Sequence, residues 1–335
     1  MTVDQILENL KNKVYHPIYF LQGEEPYYID VISDYIAANV LDENEKEFNQ
    51  TIIYGKETNV ASILECAKRF PMMSNYQVVI VKEAQHIKEK DLDENLIKYI
   101  ENPLKSTILV FCYKYKYLDG RKSLAKAIGK KGVVFDSDKI YENKIPEWIA
   151  AFLKKKNYRI GVKSTMLLTE YLGNDLGKIA NELEKLMINI KSGNEINTSH
   201  IEQYIGISKD FNVFELQNAL GTKNFLKANQ VINYFAKNPK DHPLVVTLFN
   251  LYSYFSKVLM FHYIQDKSNK NVAAILKVHP FFVKDYQVAA KNFSPKNAET
   301  AISILREYDR KSKGINNNST QEGELLKEMV YKILH

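Results

Sequence analysis

The sequence predicts an α/β region followed by an all-α region, and three observations predict it. Five short runs of β-branched, aromatic or other apolar residues fall within the first 140 residues. Helical segments separate these runs, the pattern of a parallel sheet covered by helices on both faces. From Glu142 onward the residues keep helical spacing and no convincing strand remains.

Taken in order, Val3 to Leu10 suits a short amphipathic helix, and Pro17-Ile18-Tyr19-Phe20-Leu21 reads as a buried strand ending at Gly23. A helix follows with Ile29, Ile32, Tyr35 and Ile36 on one face. The second strand is predicted over Glu47 to Tyr54, where polar residues separate Phe48 from Ile52 and Ile53. Ala61, Ile63, Leu64, Cys66 and Ala67 suit a short helix that Pro71 prevents from continuing. Val78-Val79-Ile80-Val81, Thr107 to Tyr113 and Gly132 to Phe135 complete the strands, with helices at Lys90 to Ile100 and Arg121 to Ile128 between them.

Strand, loop and helix around Gly23 have the order in which a nucleotide-binding domain carries G-x-x-x-x-G-K-[ST], whose backbone N–H groups and lysine hold phosphate. Here Gly23-Glu24-Glu25-Pro26-Tyr27-Tyr28 lacks the second glycine, the lysine and the hydroxyl, and it sets two carboxylates toward the phosphates. Lys82 stands after the Val78 strand where an active ATPase offers an aspartate for Mg²⁺. Gly173-Asn174-Asp175-Leu176-Gly177-Lys178 fails as a phosphate loop too, because three residues separate its glycines and Ile179 follows the lysine.

The connection Phe70-Pro71-Met72-Met73 is chemically out of place, since a loop between a helix and a buried strand is normally polar. Two readings compete. The side chains either fold under the loop as a satellite of the core, or stand proud and enter a pocket on another protein, a role suited to unbranched, polarizable methionine.

At 335 residues, 45% apolar and with sixteen Phe and twenty-two Tyr, the chain is expected to form two or three packed domains. Met1 to Leu10 does not resemble an export leader, and no run of eighteen apolar residues occurs, so a cytoplasmic protein without a membrane span is expected. Cys66 and Cys112 sit in apolar surroundings and are expected to be buried free thiols. Neither metal-ligand spacing nor a nucleophile triad is suggested.

Charge is uneven along the chain. Residues 1–50 carry net −7, residues 51–100 balance, and residues 101–335 carry net +13. Lys154, Lys155, Lys156 and Arg159 lie close together in the basic part and could track a phosphate backbone, or could form an ordinary solvated face.

Beyond Glu142, Trp148, Ile149, Phe152 and Leu153 line one helical face, and a helix begins near Lys163. Asn174 or Asp175 can cap a helix carrying Leu176, Ile179, Leu183, Leu186, Met187 and Ile190. Gly206 to Asn212 reads as a linker to a helical bundle over Phe214–Leu220, Leu226–Phe235, Pro243–Ile264, Val272–Leu276 and Phe281–Lys291. Ser294-Pro295 starts another helix. The last helix carries the apolar pairs Leu325-Leu326, Met329-Val330 and Ile333-Leu334, suited to packing within the bundle or between subunits.

Along the chain run the segments Tyr19-Phe20-Leu21-Gln22-Gly23-Glu24-Glu25-Pro26-Tyr27, Phe70-Pro71-Met72-Met73-Ser74, Leu118-Asp119-Gly120-Arg121-Lys122, Leu172-Gly173-Asn174-Asp175-Leu176, Asn181-Glu182-Leu183-Glu184-Lys185-Leu186, Val213-Phe214-Glu215-Leu216, His279-Pro280-Phe281 and Asp309-Arg310-Lys311-Ser312-Lys313-Gly314. In this order they resemble the delta-subunit family of bacterial DNA polymerase III, members of the sliding-clamp loader. Each is weak alone; their order and spacing together are specific.

The resemblance implies an AAA+-like clamp-interacting domain without a working ATP site over residues 1–140, a small helical lid over 141–208 and a helical collar over 209–335. It implies a subunit that binds and opens the β sliding clamp through Phe70, Pro71, Met72 and Met73. The family usually carries an aliphatic and then an aromatic residue at the positions of Met72 and Met73, a departure for which Phe70 is the nearest aromatic. Implied partners are the motor (tau/gamma) subunits, the delta-prime subunit and primed DNA inside the assembled loader, with ATP on the motor subunits only. No catalytic site is expected here, and the nucleotidyltransferase label belongs to the holoenzyme. Two alternatives are a stand-alone DNA-binding adaptor, which predicts tight DNA binding without a clamp, and an active AAA+ ATPase, which predicts nucleotide binding.

Overall fold

Runs such as Val78-Val79-Ile80-Val81 have no polar side to offer water, so they become strands covered on both faces. In the computed structural model, which describes residues 1–87, 94–317 and 319–335, the chain divides into two compact units, Met1–Tyr141 and Glu142–His335. The first holds β1 (Ile18–Gly23), β2 (Gln50–Tyr54), β3 (Gln77–Lys82), β4 (Thr107–Lys114) and β5 (Val133–Ser137). All pair in parallel in the order β2-β3-β4-β1-β5.

Among the described residues the α-helices of this unit are α1 (Val3–Lys11), α2 (Pro26–Asn39), α3 (Glu43–Asn49), α4 (Val60–Ala67), α5 (Glu94–Glu101) and α6 (Ser123–Lys131). Because strand side chains alternate between faces, Tyr19, Leu21, Val78, Ile80, Ile108 and Val110 pack with α1 and α2. Phe20, Val79, Val81, Leu109 and Phe111 pack with α4, α5 and α6 on the other side. The unit has the parallel α/β architecture expected from the sequence.

Three expectations need correction. Glu47 to Asn49 are helical rather than the start of a strand, because Glu45 accepts a hydrogen bond from the Asp42 N–H (2.9 Å) and Lys46 pairs with Glu43 (2.6 Å), closing a local helical turn. Cys66 is half-buried while Cys112 is buried, where loss of hydration pushes its thiol up to about 11. Two strands do occur after Glu142, as described next. The predicted helix start at Lys90 lies outside the described residues; the helix is seen from Glu94.

The second unit begins with α7 (Ile145–Lys155), β6 (Arg159–Ile160), α8 (Val162–Leu172), α9 (Leu176–Asn189), β7 (Glu195–Ile196) and α10 (Thr198–Ile205). β6 and β7 pair in parallel, but two residues each are too few to show a strand period in the sequence. Then come α11 (Val213–Gly221), α12 (Phe225–Lys237), α13 (Leu244–Tyr263), α14 (Asn269–Leu276), α15 (Val283–Asn292), α16 (Pro295–Ser312) and α17 (Glu322–Leu334). They share one core containing Leu216, Phe235, Phe255, Leu305 and Met329, and all six paired apolar residues of α17 are buried in it. Helix α13 is long and apolar enough by length and composition to cross a membrane. Its Leu244, Leu248, Leu251, Phe255 and Val258 pack in the bundle core.

Candidate functional site

Helix α4 ends at Ala67, whose carbonyl accepts hydrogen bonds from Tyr99 Oη (3.1 Å) and Thr107 Oγ1 (3.0 Å), while Gln77 Nε2 donates to the Cys66 carbonyl at 2.7 Å. The chain then turns outward. Phe70 is 75% exposed, Met72 is 63% exposed and Met73 is fully exposed; Pro71 is half-buried. The three large side chains therefore do not fold under the loop. Phe70 also forms one lip of a groove lined by Leu64, Lys68, Lys98 and Leu104.

What fixes the loop is Asn49, the last residue of α3 and only 2% exposed. Its Oδ1 accepts from the Met72 N–H at 2.6 Å, and its Nδ2 donates to the Met72 carbonyl at 2.9 Å and to the Glu45 carbonyl at 3.0 Å. One buried amide thus satisfies both backbone groups of Met72, as a strand neighbour would. Beyond it Met73 adopts φ +53°, a left-handed conformation unfavourable to a residue with a Cβ. On the other side Ser74 Oγ donates to the Tyr76 carbonyl at 3.2 Å, and Tyr76 meets Tyr15 edge-on at 5.1 Å. The Met pair is held outward by a polar clasp beneath it.

At the opposite ends of the strands, the N-terminus of α2 is capped from within. Buried Glu25 accepts from the Tyr27 N–H at 3.1 Å, and Pro26 occupies the first turn. A Cβ at Gly23 would overlap the Ser137 carbonyl, so this glycine serves the approach to β5. Lys82 Nζ donates to Asp34 (2.7 Å) and Ser33 Oγ (2.9 Å), and Lys114 Nζ pairs with Asp30 at 2.7 Å. Burial opposes the Lys82 charge, but Asp34 and Asp30 outweigh it and hold the ammonium above its ordinary value. A triphosphate arriving here would meet the Glu25 carboxylate and a lysine already neutralised.

Lys154 and Lys155 end α7, Lys156 caps it and Arg159 lies on β6; all four are exposed on one short turn. Lys156 is 3.5 Å from Glu184 and lies over the Phe152 ring at 5.3 Å. Lysines in a last helical turn also favour the helix dipole, so the cluster has a local structural role as well.

Known proteins can now be set beside this geometry. Residues 19–138 match the family model described as DNA polymerase III, delta subunit, and residues 210–329 match that of its C-terminal domain. The chain belongs to the DNA polymerase III delta subunit family. DNA polymerase III subunit delta of Bacillus subtilis (strain 168) is 26% identical over 320 residues, covering 93% of this chain and 92% of the relative. The solved Bacillus subtilis DNA clamp loader delta protein aligns with 99% of each chain at a TM-score of 0.58 and 24% identity, which shows the shared fold.

Of the residues singled out in the sequence, Phe70, Met72 and Met73 come together on one exposed loop, and the four basic residues come together around the end of α7 and the start of β6. Asn49 was not found from sequence. It lies 23 residues from Met72, and its only signal is a polar residue in a stretch that otherwise reads as a strand.

Proposed function

We propose that this delta-family subunit binds and opens the β sliding clamp for loading onto primed DNA, with Phe70 to Met73 as the clamp-binding tip. The observation that carries this reading is the exposed Met72-Met73 pair held in place by Asn49. A preset apolar tip loses little conformational freedom on entering a pocket.

The work is binding without bond chemistry. A ring closed by its own interfaces opens when a partner binds the open form better than the closed one, and only that difference counts. Burying one Met side chain contributes about 1.5 to 3 kcal/mol, so the pair can contribute roughly 3 to 6 kcal/mol, enough to bias an interface.

The same reading takes residues 1–140 as the clamp-binding domain, 141–208 as the lid and 209–335 as the collar. The collar would join the motor (tau/gamma) and delta-prime subunits, with ATP on the motor subunits, in the cytoplasm. Exposed apolar residues on one face of α13, Val245, Phe249 and Tyr252 in its first half and Met260 and Tyr263 near its end, support the collar assignment, because no described element covers them.

The experiment is binding of the purified chain to its cognate clamp, with and without ATP. Nucleotide-independent binding that Met72→Asp with Met73→Asp abolishes is the expected result; binding unchanged by that variant overturns the site. Lys154, Lys155, Lys156 and Arg159 are assigned to the DNA backbone within the assembled loader, a contact that weakens with added salt. Reversing their charges is expected to lower loader affinity for primed DNA, and unchanged affinity would return them to a solvated face.

A further inference from the structure

Strand β2 is one edge of the sheet, and it is an unguarded edge. Natural edge strands avoid pairing with other chains by means of a lysine, a proline, a bulge or a covering element. Gln50-Thr51-Ile52-Ile53-Tyr54 contains neither charge nor proline. Its register to β3 runs without slip from Gln50 beside Val78 to Tyr54 beside Lys82, so it has no bulge. Beyond that ladder, no hydrogen bond among the described residues reaches the backbone of Thr51, Ile52 or Ile53. The other edge differs: β5 carries the exposed Asp136, which accepts a hydrogen bond from Gln22 Nε2 at 2.7 Å.

Two side chains of β2, Ile52 and Tyr54, are also exposed. Ile53 packs toward α4 and α5 with the core on that face. Ile52 and Tyr54 point to the opposite face, where Ile52 lies beside Ile80; Ile80 is buried with α1 and α2, whereas Ile52 and Tyr54 are exposed. Phe48, one residue before Asn49, is exposed as well. Asn49 joins this ledge to the tip through its two hydrogen bonds with Met72. The apolar surface and the open backbone therefore start where the tip starts.

We propose that the outer edge of β2 is a strand-addition site, on which an extended apolar segment of the clamp gripped by the Met72-Met73 tip pairs with Thr51 to Tyr54. Main-chain hydrogen bonds supply the register, and Phe48, Ile52 and Tyr54 receive alternate side chains of the added strand. The inference rests on the tip reading above and extends it from a point contact to a line along the sheet edge. Because each backbone bond adds to the hold without demanding a particular side chain, the edge tolerates sequence change in its partner more readily than the tip does.

The test is amide hydrogen exchange of the full chain, alone and with purified cognate clamp, together with clamp affinities of Ile52→Lys and of Met72→Asp with Met73→Asp. Expected are slowed exchange at the outward-facing amides of Thr51 to Ile53, those not already bonded to β3, only when clamp is present, and roughly tenfold weaker binding by Ile52→Lys with the fold retained. Should Ile52→Lys fail to fold, Tyr54→Glu carries the same test. Binding that depends on Met72 and Met73 but leaves β2 exchange and Ile52→Lys affinity unchanged overturns strand addition and leaves the tip standing. Absence of any clamp binding overturns both. Protection of β2 that grows with the concentration of the chain alone would make the occupant a second copy, and would overturn the clamp as the occupant.

Discussion

The two ends of the parallel sheet have opposite fates. At the C-terminal ends of the strands, three charged groups near the phosphate-loop position have internal partners: Glu25 the Tyr27 N–H, Lys82 the Asp34 carboxylate and Lys114 that of Asp30. At the N-terminal end, just ahead of β3, the backbone groups of Met72 are likewise satisfied by Asn49, but the large apolar side chains are turned out to water. The difference sets a position whose charges are paired from within against one whose apolar side chains are left facing water. A site without a ligand is free to satisfy itself from within, whereas exposed apolar surface is a standing cost unless a partner removes it from water.

The largest break in this contrast is expected at the apolar end. Met72→Ala with Met73→Ala should retain the fold, since neither side chain packs in a core, and should weaken clamp binding about a hundredfold or more. Titration of the clamp checks it, with thermal melting as the control for folding. Retained affinity would mean that the exposed end is as idle as the filled one.

A smaller effect separates exposure from positioning. Asn49→Ala leaves Met72 and Met73 chemically intact but removes the clasp, so the loop must be ordered at the moment of binding. Clamp affinity should fall roughly tenfold, and stability should fall by about 1 to 3 kcal/mol because two backbone groups lose their partner. A positioning role predicts that calorimetry will show a larger entropic cost of binding for Asn49→Ala than for the natural chain. Unchanged entropy with lower stability would make the asparagine structural only.

These two variants also mark how far the sequence could be read. The failure of the phosphate loop was legible at Gly23 to Tyr28, because that chemistry requires particular residues at consecutive positions and their absence is local. The strands were legible for a similar reason, since runs such as Val78 to Val81 admit few structures. The direction of Phe70, Met72 and Met73 was not legible, because exposure depends on what lies beneath a loop. Asn49 lies there, distant in sequence and disguised by a capped turn that replaces the expected start of β2. The open edge was hidden too: nothing in Gln50 to Tyr54 reveals that α2 covers its neighbours and leaves Ile52 bare.

The smallest effect is expected at the filled end. Glu25→Ala removes a carboxylate that caps α2 but leaves the Glu25 N–H on the Ser137 carbonyl (3.1 Å) and Ser137 Oγ on the Glu25 carbonyl (2.7 Å). The loss should be about 1 kcal/mol, a shift of about 4 °C in the melting of a unit this size. ATP should still fail to bind in a fluorescence titration, since the loop lacks the second glycine, lysine and hydroxyl, and Lys82 remains where a metal-binding carboxylate is needed. Saturable ATP binding by Glu25→Ala would show instead that one buried carboxylate had been suppressing a usable site, and the two ends of the sheet would differ by a single residue.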